Sequence, residues 1–528
     1  MSAGKFVCAA LPSVYMHTKN ALLDFPEDIT AQQTNSFLHS NTNKFLTSIG
    51  IILHKKGCEI EDKRIKRYIR MLKIYRNTEF LKGCELIVDS GGYQIQQGFL
   101  KRKTIPEFID MYHDDFLPNQ YKLFDKAFML DIAPGSVSCP FDSYEDMKQL
   151  NEYSYSKVKN MSDDLKSKMI YIHHFRTPRI HDIYKDLLFK QNMAEGIKNF
   201  STGGIVSFLR TGSGVPPYIL YIIPMIEILD YAIKTGLKKF RFHVLGGAEW
   251  KEILGHKFFE RHIKELFDID VEITFDSSTF FRTVCMGRYT FNYTEDRKIS
   301  KMSIRPDELQ LRSITNKEKT NSSTTTRGER FCEMVNAAID GHGITPMDSS
   351  VPIYSCRYCN FHYEDISNTN KCPKCGRVDS HSFSRLYYMY SLFQLLHIMS
   401  IVEDWSKDIV DEAYGKFNST SLSDNVEFNN IINRHMINLQ GAENMNRRNI
   451  EFKSLAVHNS LKLLSEYKDN PKKALEKCDM IVNKYMAGSE CEQLSNDRPK
   501  SFDCDGITKG EKPKRKRVRK PKEFVLKF

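Results

Sequence analysis

The sequence predicts an α/β protein: a (β/α)8 barrel with an inserted four-cysteine zinc-binding module and a helical C-terminal extension. Three observations carry that expectation. Between residues 84 and 276, short β-like runs alternate with helix-length stretches, and strands separated by helices imply parallel pairing through right-handed crossovers. Each run ends in Asp, Gly or His. Two Cys-x2-Cys pairs follow the alternating region.

Taken in order, the runs are residues 85–88, 127–130, 169–172, 200–202, 240–245 and 271–275, with helical stretches at 105–117, 144–161, 178–196, 216–235 and 249–267. Earlier runs at 6–10 and 47–53 supply the first strands. The count suits a barrel better than an open doubly wound sheet, although the alternation allows both. Residues 290–330 read as a polar excursion with a Ser/Thr-rich linker at 321–326, and a Cys-rich module occupies 354–377. Phe383, Leu386, Tyr390, Phe393 and His397 recur at helical spacing and predict a helix over 383–405. That aromatic stripe reads as core rather than as a ligand box. Residues 450–467 and 471–486 also read as helices, with Pro471 in a first turn and Gly488 as a stop. The expected division is a barrel over 1–349, a zinc-binding module over 350–380 and a helix closing the barrel over 381–405. A helical extension then covers 406–488, and a disordered basic tail 489–528.

Composition narrows the class. The chain has 528 residues, 41% hydrophobic and 27% charged, which suits a globular protein and excludes wholesale disorder. No apolar run reaches a membrane span, since residues 218–228 are short and broken by Pro224, and residues 1–15 lack a secretory pattern. A cytoplasmic location, in a bacterium or a phage-infected host, is expected. Of the 13 Cys, nine are scattered singly, as in a reducing compartment. The net charge of +11 is unevenly placed: residues 509–522 hold nine Lys/Arg and one Glu and so carry +8 of it. A basic tail is present; a basic body is not.

The residues after each run form a pattern. The run 85–88 ends in Asp89-Ser90-Gly91-Gly92-Tyr93-Gln94 and 127–130 in Asp131. The run 169–172 ends in His173-His174, 200–202 in Gly203-Gly204, 240–245 in Gly246-Gly247, and 271–275 in Asp276-Ser277-Ser278. In a parallel barrel these positions meet at one mouth, where sites are built. Any one of them also suits an ordinary turn or helix cap; the whole set in register predicts a pocket with chemistry and close backbone approach.

The hexapeptide at residues 89–94 closely resembles the DSGG[F/Y]Q segment of tRNA-guanine transglycosylases. The resemblance continues in order through Asp131, Gly203-Gly204, Gly246 and Phe275-Asp276, and through His381-Ser382-Phe383-Ser384-Arg385-Leu386-Tyr387, covering roughly residues 5–405. It implies that Asp276 is a nucleophile attacking C1′ of the target nucleotide, and that Asp89 is the general base on an incoming 7-deazaguanine. It further implies that Asp131 accepts from the N–H edge of the base, that Tyr93 stacks on it, and that Ser90, Gly203, Gly204 and Gly246 complete the base pocket. The chemistry needs such residues. Exchange with retention at an anomeric carbon takes two displacements, so one carboxylate attacks while another moves protons. A guanine-like edge presents N–H donors, which suit an acceptor-only carboxylate.

Cys356-x2-Cys359-x12-Cys372-x2-Cys375 predicts a structural Zn2+ site, because four thiolates fill a tetrahedral shell. The family uses three Cys and a downstream His instead. Residues 402–410 contain no His, so the upstream pair takes over that place.

Other departures favour a branch of the family. Residues 205–209 replace the usual Leu-Ala-Val-Gly-Glu, and Thr279-Phe280-Phe281-Arg282 replaces a segment ending Pro-Thr-Arg, which leaves Arg282 as a nucleic-acid contact. His173-His174 stands where Gln-Gly-Gly is usual. Either His could donate to guanine O6 or touch the sugar, or simply be satisfied by its neighbours. No RNA-binding domain of the archaeal type is read at the C-terminus. The pattern resembles the phage and bacterial DNA-guanine transglycosylase branch, which places 7-deazaguanines of the preQ0 type in DNA. The expected partner is therefore DNA, with tRNA the alternative; a barrel hydrolase of N-glycosidic bonds and a non-catalytic nucleic-acid-binding module are further ones. Oligomeric state stays open, a homodimer included. The tail around Lys514, Arg515, Lys516, Arg517 and Arg519 reads as a solvated charge run or, preferably, as a phosphate-binding arm.

Overall fold

The computed structural model describes residues 4–8, 29–53, 55–133, 141, 143–175, 177–203, 218–247, 250–276, 289–294, 296–303, 327–348, 351, 354–356, 359, 361–363, 371–377, 381–383, 385–419, 425–440 and 447–486. Eight parallel strands close into a barrel in sequence order: β1 (Gly4–Cys8), β2 (Thr42–Ser48), β3 (Glu85–Asp89), β4 (Lys126–Phe128), β5 (Met169–His174), β6 (Asn199–Gly203), β7 (Lys239–Val244) and β8 (Asp270–Asp276). Closure is made by β8 on β1, with Phe275 opposite Phe6 and Asp276 opposite Val7. The barrel predicted from strand–helix alternation is present.

Among the described residues, seven longer helices follow strands: α1 (Ala31–Asn41), α2 (Asp62–Asn77), α3 (Ile105–Asp110), α4 (Tyr144–Lys159), α5 (Pro178–Lys185), α6 (Ile222–Lys234) and α7 (Trp250–Phe267). The expected helices at 105–117 and 178–196 are composite, because π-helical turns at Met111–Phe116 and Asp186–Lys190 continue α3 and α5. After β8 the chain forms an antiparallel hairpin, β9 (Tyr289–Tyr293) and β10 (Ile299–Ser303), where only a polar excursion was expected. Helix α8 (Arg327–Ile339) follows, and then the Cys module.

Helix α9 (Arg385–Tyr414) runs beyond the expected end at residue 405 and completes the outer ring beside α7 and α1. Its Glu403 is buried, accepts the Phe6 N–H of β1 at 3.1 Å and lies 3.6 Å from Lys257 of α7. One side chain thus ties the last helix to the first strand. Helices α10 (Val426–Gln440), α11 (Arg447–Asp469) and α12 (Pro471–Met486) sheathe α5–α7 from outside. Their contacts are specific: Tyr467 donates to Asp230 at 2.8 Å, Lys185 pairs with Asp479 at 2.5 Å, and His262 lies within 3.1 Å of both the Leu461 carbonyl and Ser465. Among the described residues no helix is long and apolar enough to cross a membrane.

The barrel lumen is layered. A small apolar cluster of Val7, Leu46, Ile87, Phe128, Ile170 and Ile172 fills its middle, separate from the large core between strands and helices. Below it Arg241 bridges three strands, pairing bidentately with Glu85 and lying 2.9 Å from Glu272, while Lys44 reaches Glu272 at 3.5 Å. Removing one member strands the others in a site poor in water. Arg241→Met is expected to cost about 2–4 kcal/mol, somewhat below the usual penalty for breaking a buried pair, because Glu85 and Glu272 keep 20% and 28% exposure. A denaturant midpoint unchanged in that variant would refute the ionic floor.

Candidate functional site

Strand parity decides what reaches the mouth. Ile170 and Ile172 face the lumen, so His174 faces it too and His173 faces the helices. The same alternation turns Asp89, Ser201, Gly203, His243 and Asp276 inward.

Asp89 ends β3 opposite Ser48 of β2. The Ser48 hydroxyl oxygen also accepts the Gly50 N–H at 3.1 Å, fixing the turn beside the carboxylate. Burial pushes the Asp89 carboxyl up to about 6 against hydrogen bonds from Ser48 and the Gly91 backbone, which lower it; the negative charges of Asp131 and Asp276 raise it further. The three aspartates of the sequence pattern therefore share one electrostatic site. A carboxyl poised near neutrality is suited to taking and giving a proton.

Asp131 is buried just after β4. Helix α4 clamps its loop: Asn151 pairs with both backbone groups of Ile132 at 2.9 and 2.8 Å, and Ser154 donates to the Leu130 carbonyl at 2.6 Å. Sequence reasoning missed both side chains, whose only signal was two polar positions on a helix face toward the core. Gly92 is packed against Asp131; a Cβ there would stand 2.6 Å from Oδ1 and 2.8 Å from the backbone oxygen. Gly203 likewise lies under the His174 ring, where a Cβ would meet Cε1 at 2.5 Å. Tyr93, on the short helix Gly92–Gln96, is 64% exposed, an uncommon state for a large aromatic and open to stacking.

The His pair is split. His174 Nε2 stands 2.6 Å from Asp131 Oδ2. With Nε2 committed to the carboxylate, Nδ1 is the His174 atom left to meet a ligand. The reading of His173 at the target is corrected. The side chain points away from the mouth, fully buried, with Nε2 2.7 Å from Glu227 of α6. His181 of α5 lies 2.8 Å from the same carboxylate. The three side chains are close enough to hold a metal ion, but Lys185 stands 3.8 Å from Glu227 and would oppose a cation. Two imidazoles and one carboxylate form a hydrogen-bonded tie between β5 and its covering helices. Burial depresses the His173 imidazole, while the two imidazoles hold Glu227 well below the usual carboxylate range despite its burial.

Asp276 ends β8. Its Oδ1 accepts the Gly246 N–H at 2.8 Å, which gives that glycine a defined role. Three buried polar atoms around the mouth, Ser90 Oγ, His174 Nδ1 and Ser201 Oγ, make no hydrogen bond among the described residues. Each such orphan costs about 1–3 kcal/mol when no partner arrives, so the mouth is built for a polar ligand. Gly204, Arg282 and tail residues Lys514, Arg515, Lys516, Arg517 and Arg519 lie outside the described residues.

The four cysteines of the module are brought together. Cys356 ends β11 (Tyr354–Cys356), which pairs with β12 (His362–Tyr363) and β13 (His381–Phe383). Cys356 and Cys375 sulfurs are 3.6 Å apart, as are those of Cys359 and Cys372, a cluster able to hold a metal ion. On the outside of the barrel, α2 buries Tyr68, Met71, Leu72 and Tyr75 and exposes Lys66, Arg67, Arg70 and Lys73. These four cations have no carboxylate partner among the described residues, whereas Arg64 pairs with Glu61 and Arg76 with Asp125. No protein-family model matches the chain, and no curated protein is significantly similar to it.

Proposed function

We propose that the protein is a nucleic-acid guanine transglycosylase that exchanges guanine for a 7-deazaguanine base of the preQ0 type, in DNA, by double displacement. The observation that carries this reading is the meeting of Asp89, Asp131 and Asp276 at one mouth, with Asp89 raised to about 6 by burial and by its two acidic neighbours. In the first displacement an Asp276 oxygen bonds to C1′ while the C1′–N9 bond breaks and its electron pair leaves with guanine, which takes up the proton of the Asp89 carboxyl and leaves it as a carboxylate. In the second, Asp89 accepts the N9 proton of the incoming base, the freed pair closes on C1′, and Asp276 departs as a carboxylate. The free oxygen of Asp131 would accept from the N–H edge of the base, and Tyr93 would stack on it. Incubation with free 7-deazaguanine and labelled guanine in duplex DNA, single-stranded DNA or tRNA tests the reading. Release from DNA is expected. Release from tRNA alone would reassign the substrate, and release without incorporation would indicate a hydrolase.

Zinc fits the four-cysteine cluster. A tetrahedral ion with bonds of about 2.3 Å sets sulfurs roughly 3.8 Å apart, close to the 3.6 Å seen for two pairs. Cys356, Cys359, Cys372 and Cys375 would hold it, and with four thiolates it would order the module rather than act on substrate. Cys372→Ser should lower thermal stability and solubility and reduce activity only through lost folded protein. Active protein free of zinc by elemental analysis would contradict this.

The exposed face of α2 and the basic tail fit a phosphate backbone. Replacing Lys66, Arg67, Arg70 and Lys73 by Gln should weaken DNA binding and lower the salt slope, by about 0.9 for each phosphate no longer neutralised. Deleting residues 509–528 should act in the same direction and leave turnover at saturating DNA nearly unchanged. Unaltered slopes in both proteins would remove these surfaces from the interface.

A further inference from the structure

His243 faces the lumen from β7, fully enclosed, one layer below the mouth. Its Nδ1 lies 2.9 Å from Thr274 Oγ1 on β8. Its Nε2 points toward Asp276, 3.4 Å from Oδ1, and makes no hydrogen bond among the described residues. The Phe128 ring meets the imidazole edge-on at 5.4 Å, and Ser201 is its register partner on β6. One tautomer suits both nitrogens. The Thr274 hydroxyl donates to Nδ1, and the proton on Nε2 is directed at the carboxylate; the reverse tautomer would set a lone pair against negative charge.

Asp276 Oδ1 thus faces two donors, Gly246 N–H at 2.8 Å and His243 Nε2–H at 3.4 Å. Both of these contacts fall on Oδ1. We propose that His243 is a positioning residue that anchors Oδ1 of Asp276, presents Oδ2 as the attacking atom and stabilises the carboxylate when it departs. The proposal rests on the reading of Asp276 as nucleophile. While the glycosyl ester stands, Oδ1 is a neutral carbonyl and needs its donors least. When the C1′–Oδ2 bond breaks and the electron pair returns to the carboxylate, both donors act at full strength. His243 keeps its proton throughout and touches no substrate atom. Loss of its donor therefore favours the covalent state over the free carboxylate and slows breakdown more than formation.

The test measures the covalent nucleic-acid adduct at steady state and its breakdown rate on adding excess 7-deazaguanine. Asparagine reaches the Nδ1 position but lacks the distal donor, whereas glutamine carries an amide N–H to the Nε2 position. His243→Asn should raise the ratio of adduct to free enzyme about tenfold and slow breakdown similarly, the effect of losing one N–H directed at a charged group. His243→Gln should restore both to within about threefold. Thr274→Val, which frees Nδ1 to take the proton, should shift the ratio in the same direction and serves if His243→Asn does not fold. Adduct ratio and breakdown rate matching the wild type in His243→Asn, or in Thr274→Val where that variant stands in, would overturn the inference while leaving the function intact. A wild-type protein that exchanges bases with no adduct would overturn the function and the inference with it.

Discussion

Asp276→Asn should abolish both base exchange and the covalent adduct, leaving less than about one part in ten thousand of wild-type turnover. The amide keeps the shape of the side chain and its reach to Gly246 N–H, so the barrel should fold with an unchanged melting temperature. What it lacks is the negative charge that, in the proposed mechanism, forms the bond to C1′. Titration of DNA binding in the same protein should show affinity within a few fold of the wild type, since the role proposed for Asp276 is bond making rather than docking. Normal turnover in Asp276→Asn would remove the nucleophile from the mouth altogether.

Asp89→Asn should separate the two displacements. Adduct formation should persist at a reduced rate, whereas incorporation of the incoming base should fall by about 10²–10⁴, the usual worth of a general base. The pH dependence follows from the raised carboxyl. A base works deprotonated, so incorporation by the wild type should rise with pH through about 6 and level off above it, the range set by burial and by the charges of Asp131 and Asp276. Asp131→Asn removes one of those charges and should move the acid limb to lower pH, whatever it does to base affinity. An acid limb left in place by that change would mean that the two carboxyls do not share a field.

Much of the barrel was legible because parallel strands flanked by helices leave a strong rhythm. The first two strands were legible only in part. In β2, Thr42, Asn43 and Lys44 read as polar, since Lys44 serves the ionic floor of the lumen; the apolar stretch after Ser48 drew the expectation forward, yet Ile49–Ile52 is a 3-10 turn. The mouth aspartates were legible from strand ends alone. The split of His173 from His174 was not, because β5 is buried on both faces and its apolar residues hide which side is the lumen. His243 was hidden for a related reason: a single His within a strand carries no local signal, and its neighbours Thr274 and Asp276 come from another strand. The four-cysteine cluster was fully legible, since metal geometry fixes ligand spacing in a way that packing does not.

The most direct test is to trap the wild-type protein on DNA with no incoming base, digest the complex and locate the modified residue by mass spectrometry. A deoxyribosyl adduct on Asp276, lost when 7-deazaguanine is added before quenching, is the predicted result. An adduct on any other side chain, or efficient exchange with none, would contradict the account.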